Sequence, residues 1–383
     1  MTTSDDVALW LSDKLPAMEA ALAPLVEINS FTDNVDGGRA VGAALRSLFA
    51  LPGVEAKTIP SARYADHVVL STRGDAKQAP IALVGHLDTV FPPGTFEGYR
   101  RDGDLRRGPG ALDMKGGLVV VAFALRAIAE TVGLDAIAPL RIVIVADEEV
   151  GSPEGQGVIR DAIAGAHACL VFESGRAGDA IITRRKGTGM VKAIAHGKGA
   201  HAGNLHHEGK NAIWALARFV DGVQRLTDYD RGVTVNVGKV SGGTSKNTVP
   251  DRAEALVDLR FCTHADAERL VEDVRRVAAE VGVEIAGTSV EIEGGIAREP
   301  LERTDASVAL MNAYAEAARA AGLGASEAPL IGGGSDASTS GAMGIASIDG
   351  LGPRGKGFHT TDEQIEAITL VQKADALARF LTR

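Results

Sequence analysis

Three apolar runs end in groups that can hold a cation. Ile81-Ala82-Leu83-Val84-Gly85 leads into His86 and Asp88, Arg141-Ile142-Val143-Ile144-Val145-Ala146 into Asp147, Glu148 and Glu149, and Cys169-Leu170-Val171-Phe172 into Glu173. Short continuous apolar runs are the pattern of strands buried on both faces of a parallel sheet. In such sheets ligands bind just past the carboxyl ends of the strands. A polar residue at one strand end is ordinarily a cap or a solvated turn. Three such ends on one sheet edge would gather a histidine and several carboxylates in one cleft, where like charges repel unless a cation offsets them. The loop between the first two runs adds Asp113, just ahead of an apolar helix. Alone, Asp113 reads as a helix N-cap. Beside His86 and Glu149 it reads as a carboxylate bridging two ions, and the chemistry expected is metal-assisted hydrolysis.

Alternating strands and helices must position these residues. Periodicity predicts helices over 4–28, 38–49 and 116–129 and strands over 54–59 and 67–71, which with the three runs make a mostly parallel, doubly wound α/β sheet. The pattern changes near Arg184. Strands at 190–195, 233–240 and 253–260 and amphipathic helices at 211–226 and 265–281 follow a β-α-β-β-α-β order, that of a small antiparallel α+β (ferredoxin-like) domain. After about Glu293 the alternation returns and ends in a helix over 362–381. The simplest architecture is an α/β domain made of 1–184 and 294–383, interrupted by an inserted domain over 185–293.

Composition narrows the partners. A chain of 383 residues is too long for one core. A net charge of −10 and only 4% aromatic residues disfavour nucleic acid and anionic membranes. Cys169 and Cys262 each sit in an apolar run and read as small hydrophobes, not as half of a disulfide. No basic region precedes an apolar stretch near Met1 and no run reaches the length of a membrane span, so the expected location is cytoplasmic.

His86-Leu-Asp88-Thr, Gly110-Ala-Leu-Asp113-Met-Lys-Gly116, Asp147-Glu148-Glu149-Val-Gly151, Gly197-Lys-Gly-Ala-His201-Ala-Gly203 and Gly333-Gly-Ser-Asp336 occur in this order along nearly the whole chain. Together they resemble the zinc-dependent aminoacylase and carboxypeptidase metallopeptidase family, with residues 172–203 and 332–337 most like its glutamate carboxypeptidase branch. The resemblance implies a phosphorylase/hydrolase-like α/β/α zinc exopeptidase domain carrying an inserted dimerisation domain, and hence a homodimer. It implies two zinc ions, or cobalt or manganese in their place. His86, Asp113 and Glu173 would hold one and Asp113, Glu149 and His359 the other, with a cis peptide after Asp113. Asp88 would orient the His86 ring, Glu148 would be the general base, and His201 would stabilise the oxyanion in a partner subunit. Asn247 and Arg260 match substrate-binding positions; for Arg260 an ion pair within its strand is an equal reading. Arg298, Gly333 and Arg354 are further candidates for substrate contact, against an ordinary role as surface arginines or a tight-turn glycine.

The reaction expected is release of a C-terminal amino acid from a peptide or N-acyl amino acid. Deacylation of small N-acyl amino acids, of the acetylornithine or succinyl-diaminopimelate type, is the alternative, since the same amide is cut. A metal- or peptide-binding module without catalysis is disfavoured by Glu148, because binding needs ligands but no base.

Overall fold

The runs Leu140–Val145, Ile81–His86 and Ala168–Val171 lie side by side and parallel. The computed structural model describes residues 3–383. In it, these strands form the middle of a six-stranded sheet ordered Val54–Ile59, His67–Thr72, Leu140–Val145, Ile81–His86, Ala168–Val171, Ala346–Ile348. His67–Thr72 runs against both neighbours, so the sheet is mixed. The carboxyl ends of the three central strands therefore share one edge. The Lys115–Thr131 helix is buried at nearly every position as far as Ile128, as expected of a helix apolar on all sides. Its first turn presses on the sheet: a Cβ at Gly117 would lie 2.1 Å from the carbonyl oxygen of Phe172, the residue before Glu173.

Two helix expectations need correction. The helix over 4–28 is two helices, Thr3–Leu11 and Leu15–Glu27, because Pro16 lies in the first turn of the second. Proline lacks the N–H that would continue a preceding helix and suits a helix start. The terminal helix begins only at Ile368. Ahead of it, Gln364–Glu366 pairs antiparallel with Leu105–Arg107 in a small four-stranded sheet; a strand of three residues is too short to show a period.

The chain divides into two compact units, one comprising the residues up to Arg184 with Arg303–Leu330 and Ser335–Arg383, the other Arg185–Glu302 with Ile331–Gly334. The second holds a sheet ordered Thr234–Gly242, Arg252–Phe261, Gly187–His196, Ser289–Arg298, every neighbouring pair antiparallel. Alternate residues such as Val191, Ala193, Ala255 and Val257 share a core with the helices Ala212–Gln224 and His264–Glu284. Asn211 and Thr263 cap these helices by accepting the N–H of Trp214 and Asp266. This is the β-α-β-β-α-β arrangement with strand order 2-3-1-4. The last strand crosses the boundary expected at 293, and the unit runs on to Glu302. Among the described residues, no helix is long and apolar enough to cross a membrane.

The contact at Gly117 gives a test of this packing. Gly117→Ala should lower stability by about 1–3 kcal/mol, the usual cost of overpacking, measured by denaturant unfolding. An unchanged midpoint would contradict the close approach to Phe172.

Candidate metal centre

The strand ends deliver their side chains to one place. His86 closes the Ile81–His86 strand and is 1% exposed. Its Nε2 faces Asp113 Oδ1 at 3.4 Å and Glu173 Oε1 at 3.6 Å. His359 Nε2 faces Asp113 Oδ2 at 3.4 Å and Glu149 Oε2 at 3.1 Å. Asp113 thus offers one oxygen to each imidazole. It does not cap the helix that follows: the capping position is Met114, which makes no side-chain cap bond. The Asp113–Met114 peptide is cis.

The potential ligand atoms fall into two groups, His86 with Glu148 and Glu173, and Asp113 with Glu149 and His359, each within 4.8 Å. Adjacent residues of one strand would point to opposite faces. Here the strand has ended at Val145, and Glu148–Val150 form a single tight turn closed by Gly151 at φ 97°. That turn is why Glu148 and Glu149 reach different groups.

The electrostatics fit a pair of divalent cations. Four carboxylates (Asp113, Glu148, Glu149, Glu173) meet two imidazoles, so four negative charges stand against the four positive charges of two divalent ions. Burial pushes Glu149 up to about 7, and it raises Glu173 well above the usual range, with the charge of Asp113 adding to it. Burial resists a charge on His86, but Glu173, Asp113 and Asp88 outweigh it and hold its pKa well above normal. Hydrogen bonding to Asp113 and Glu149 lifts His359 to about 10. Burial likewise resists ionisation of Asp113, yet the imidazoles of His359 and His86 beside it hold it well below the ordinary carboxylate range. His86 Nε2 and Asp113 Oδ1 are buried with no hydrogen-bond partner, as ligand atoms aimed at an ion would be. Nitrogen and carboxylate oxygen are normal zinc donors.

Asp88 differs from expectation in detail. The second imidazole nitrogen, His86 Nδ1, lies 3.0 Å from the main-chain carbonyl of Asp88 and 3.3 Å from its carboxylate. The carboxylate itself accepts the N–H of Glu148 and Glu149 and the hydroxyl of Thr32. Asp88 therefore supports the His86 ring and also anchors the turn bearing both glutamates, a second task that the sequence did not suggest. Asp147 closes that turn from the other end by accepting the N–H of Glu154 and Gly155, and Asp336 of the Gly333–Asp336 motif accepts the Ser152 hydroxyl at 2.6 Å.

Two of the three arginines expected at substrate are engaged elsewhere. Arg354 gives Nε and Nη2 to Glu366 and Nη1 to the buried Asp179, so its guanidinium is committed and is not a free clamp for a substrate carboxylate. Arg260 pairs bidentately with Asp258 at 2.8 and 2.9 Å, which is the ion-pair reading of that residue. Arg298 is buried, with its Cδ 2.8 Å from where a Cβ on Gly334 would lie. The Gly333 carbonyl accepts from Arg185. Asn247 is exposed, with Oδ1 accepting from Ser245. His201, in the second unit, is exposed, and its Nδ1 accepts the N–H of Gly203 and Asn204. That leaves Nε2 as the protonated, donating nitrogen.

Two buried residues beside the site went unread in the sequence. Lys115 is fully buried, with Nζ on the Ile28 carbonyl at 3.0 Å, and burial lowers it to about 7. Glu363 is buried against the Asp113 loop, and burial raises it to about 8. Lys115 lies within the Gly110–Gly116 motif, but nothing local shows that its side chain is buried, and Glu363, near the chain end, carries no periodic or motif signal.

Known proteins resemble this chain in sequence and in fold. Residues 183–286 match the peptidase dimerisation domain, M20_dimer. Carboxypeptidase G2 of Pseudomonas sp. (strain RS-16) is 26% identical over 369 residues, which is 94% of this chain and 88% of that protein. The acetylornithine deacetylase of Myxococcus xanthus is 30% identical over 288 residues, 70% of this chain and 73% of that one. In fold, the chain is similar to the YXEP protein of Bacillus subtilis, a dinuclear metal binding peptidase from the M20 family, with a TM-score of 0.72 at 17% identity over 96% of this chain and 97% of that one. With an identity of 30% across nearly three quarters of the deacetylase, and the dimerisation domain in place, this chain belongs to the M20 metallopeptidase family and is a hydrolytic enzyme.

Proposed function

We propose that this chain is a dinuclear zinc amide hydrolase that releases a C-terminal amino acid from a peptide or N-acyl amino acid, in the manner of a glutamate carboxypeptidase. The observation that carries the dinuclear reading is Asp113, whose two oxygens each face a different imidazole at 3.4 Å. His86, Asp113 and Glu173 would hold one ion, and Asp113, Glu149 and His359 the other. When bound, two divalent ions would polarise an amide carbonyl and lower the pKa of water.

The chain's own residues supply the rest. Glu148 takes the proton of the attacking water and passes it to the leaving nitrogen. Asp88 holds Glu148 through its backbone N–H at 3.2 Å. The Nε2–H of His201, contributed by a partner subunit across the dimerisation domain, donates to the developing oxyanion. Asn247, Arg298 and Gly333 are assigned to substrate contacts.

Similarity to carboxypeptidase G2 across 94% of the chain supports the carboxypeptidase reading. Similarity to acetylornithine deacetylase favours the second reading, deacylation of a small N-acyl amino acid. A panel of C-terminal glutamyl, aspartyl and neutral peptides against N-acetyl and N-succinyl diamino acids decides between them. Turnover of the acylated diamino acids alone would end the first reading.

Glu148→Ala should keep wild-type metal content while kcat falls by about 10²–10⁴-fold; loss of an ion would instead make Glu148 a ligand, and full activity would remove it from the mechanism. His201→Ala should lower kcat by about 10²–10³-fold. Mixing inactive Glu148→Ala with inactive His201→Ala should restore activity if His201 acts in the partner's site, because a mixed dimer has one intact site. Mixtures that stay inactive after verified subunit exchange would contradict action in the partner.

A further inference from the structure

Glu363 closes the loop that carries His359, and the reaction as derived gives it no task. It is 1% exposed. Its Oε1 accepts the backbone N–H of Leu112 at 2.8 Å and of Asp113 at 3.0 Å. Its main chain completes the His359 turn: Thr360 donates to the Gly357 carbonyl at 3.0 Å, and Glu363 donates to the Thr360 carbonyl at 3.1 Å. The Glu363 carbonyl in turn accepts the N–H of Gly108 at 3.3 Å. Directly after Glu363, Gln364–Glu366 pairs with Leu105–Arg107. The two loops that carry Asp113 and His359 therefore leave one small sheet as neighbours, and beyond it the Glu363 side chain ties them together.

We propose that Glu363 is a positioning residue for the metal centre: by accepting the N–H of Leu112 and Asp113 it fixes the bridging carboxylate against the His359 turn and so sets the affinity of the ion held by Asp113, Glu149 and His359. This rests on the reading of those three residues as ligands. The geometry makes the effect specific. Glu363 joins the Asp113 loop to the turn that carries His359, whereas His86 is fixed at the end of its strand, so loss of Glu363 loosens Asp113 against His359 first. Buried backbone N–H groups need partners. Those of Leu112 and Asp113 lie ahead of the Lys115–Thr131 helix, outside its hydrogen-bond ladder, and Glu363 satisfies both. Residues that back metal ligands in this way change metal affinity or activity by about 10–100-fold when removed.

The test compares wild type, Glu363→Ala and Glu363→Gln. Stepwise Zn²⁺ affinity of the metal-free proteins is measured by competition with a chelator of known strength, and their thermal unfolding is measured alongside. Glu363→Ala should bind one of the two ions about 10–100-fold more weakly, with kcat reduced and KM near wild type. Glu363→Gln keeps a carbonyl acceptor for the two N–H groups and should recover most of that affinity. If Glu363→Ala does not fold, Glu363→Asp, one methylene too short to reach both N–H groups, takes its place. Wild-type affinity for both ions in the shortened or truncated variant would overturn the proposal. So would equal weakening of both ions in step with a lower melting temperature of the metal-free protein, which would mark a general packing role. His359→Ala separates the two levels of the argument. If it keeps both ions at wild-type affinity, the ligand reading itself fails. If it loses one ion while Glu363→Ala keeps both, only the role of Glu363 fails.

Discussion

Four carboxylates converge within a few ångströms at the carboxyl edge of a buried sheet, and the rest of the catalytic unit is arranged around holding them there. Carboxylates at such separations repel in a low dielectric. Two imidazoles alone do not settle the conflict: Glu173 and Glu149 remain held above their ordinary ionisation range, and His86 Nε2 and Asp113 Oδ1 lack hydrogen-bond partners. A pair of divalent cations would cancel the four charges and give those atoms a partner. A cluster costly without such ions and satisfied with them would couple metal binding to the local order of the loops.

Those loops are held by backbone hydrogen bonds to buried acids. Asp88 accepts the N–H of Glu148 and Glu149, Asp147 accepts those of Glu154 and Gly155, and Glu363 accepts those of Leu112 and Asp113. Each acid sits one layer behind the ligands and closes a turn that no strand or helix ladder supports. Hydrogen bonds to charged acceptors are worth roughly 1.5–3 kcal/mol, more than neutral ones. The sheet thus supplies the direction of approach and the outer acids supply the final placement. The exposed side of His359 leaves one face of the centre open to solvent, as a substrate requires.

What the sequence made legible follows from the range of the signal. Continuous apolar runs ending in His86, Glu149 and Glu173 disclosed both the buried strands and the side chains that gather at their ends, because burial on two faces and a polar terminus are written locally. The inserted domain was readable for the same reason: strands and amphipathic helices of ordinary length have periods that survive in one sequence. Short elements were not readable. Gln364–Glu366 is a three-residue strand fixed by pairing with Leu105–Arg107, more than 250 residues earlier, and without it the chain reads as a longer helix. The arginines illustrate the opposite limit. A guanidinium reads as a carboxylate clamp until its partner is known, and for Arg354 the partners, Asp179 and Glu366, lie far apart in the chain.

The central claim is that the carboxylate cluster holds two ions through one bridging residue. Metal analysis of the metal-free protein reloaded with Zn²⁺, wild type against Asp113→Ala, tests it most directly. The account predicts two ions per chain in the wild type and weakened binding of both in the variant. A single ion in the wild type, or two ions retained at full affinity without Asp113, would contradict it.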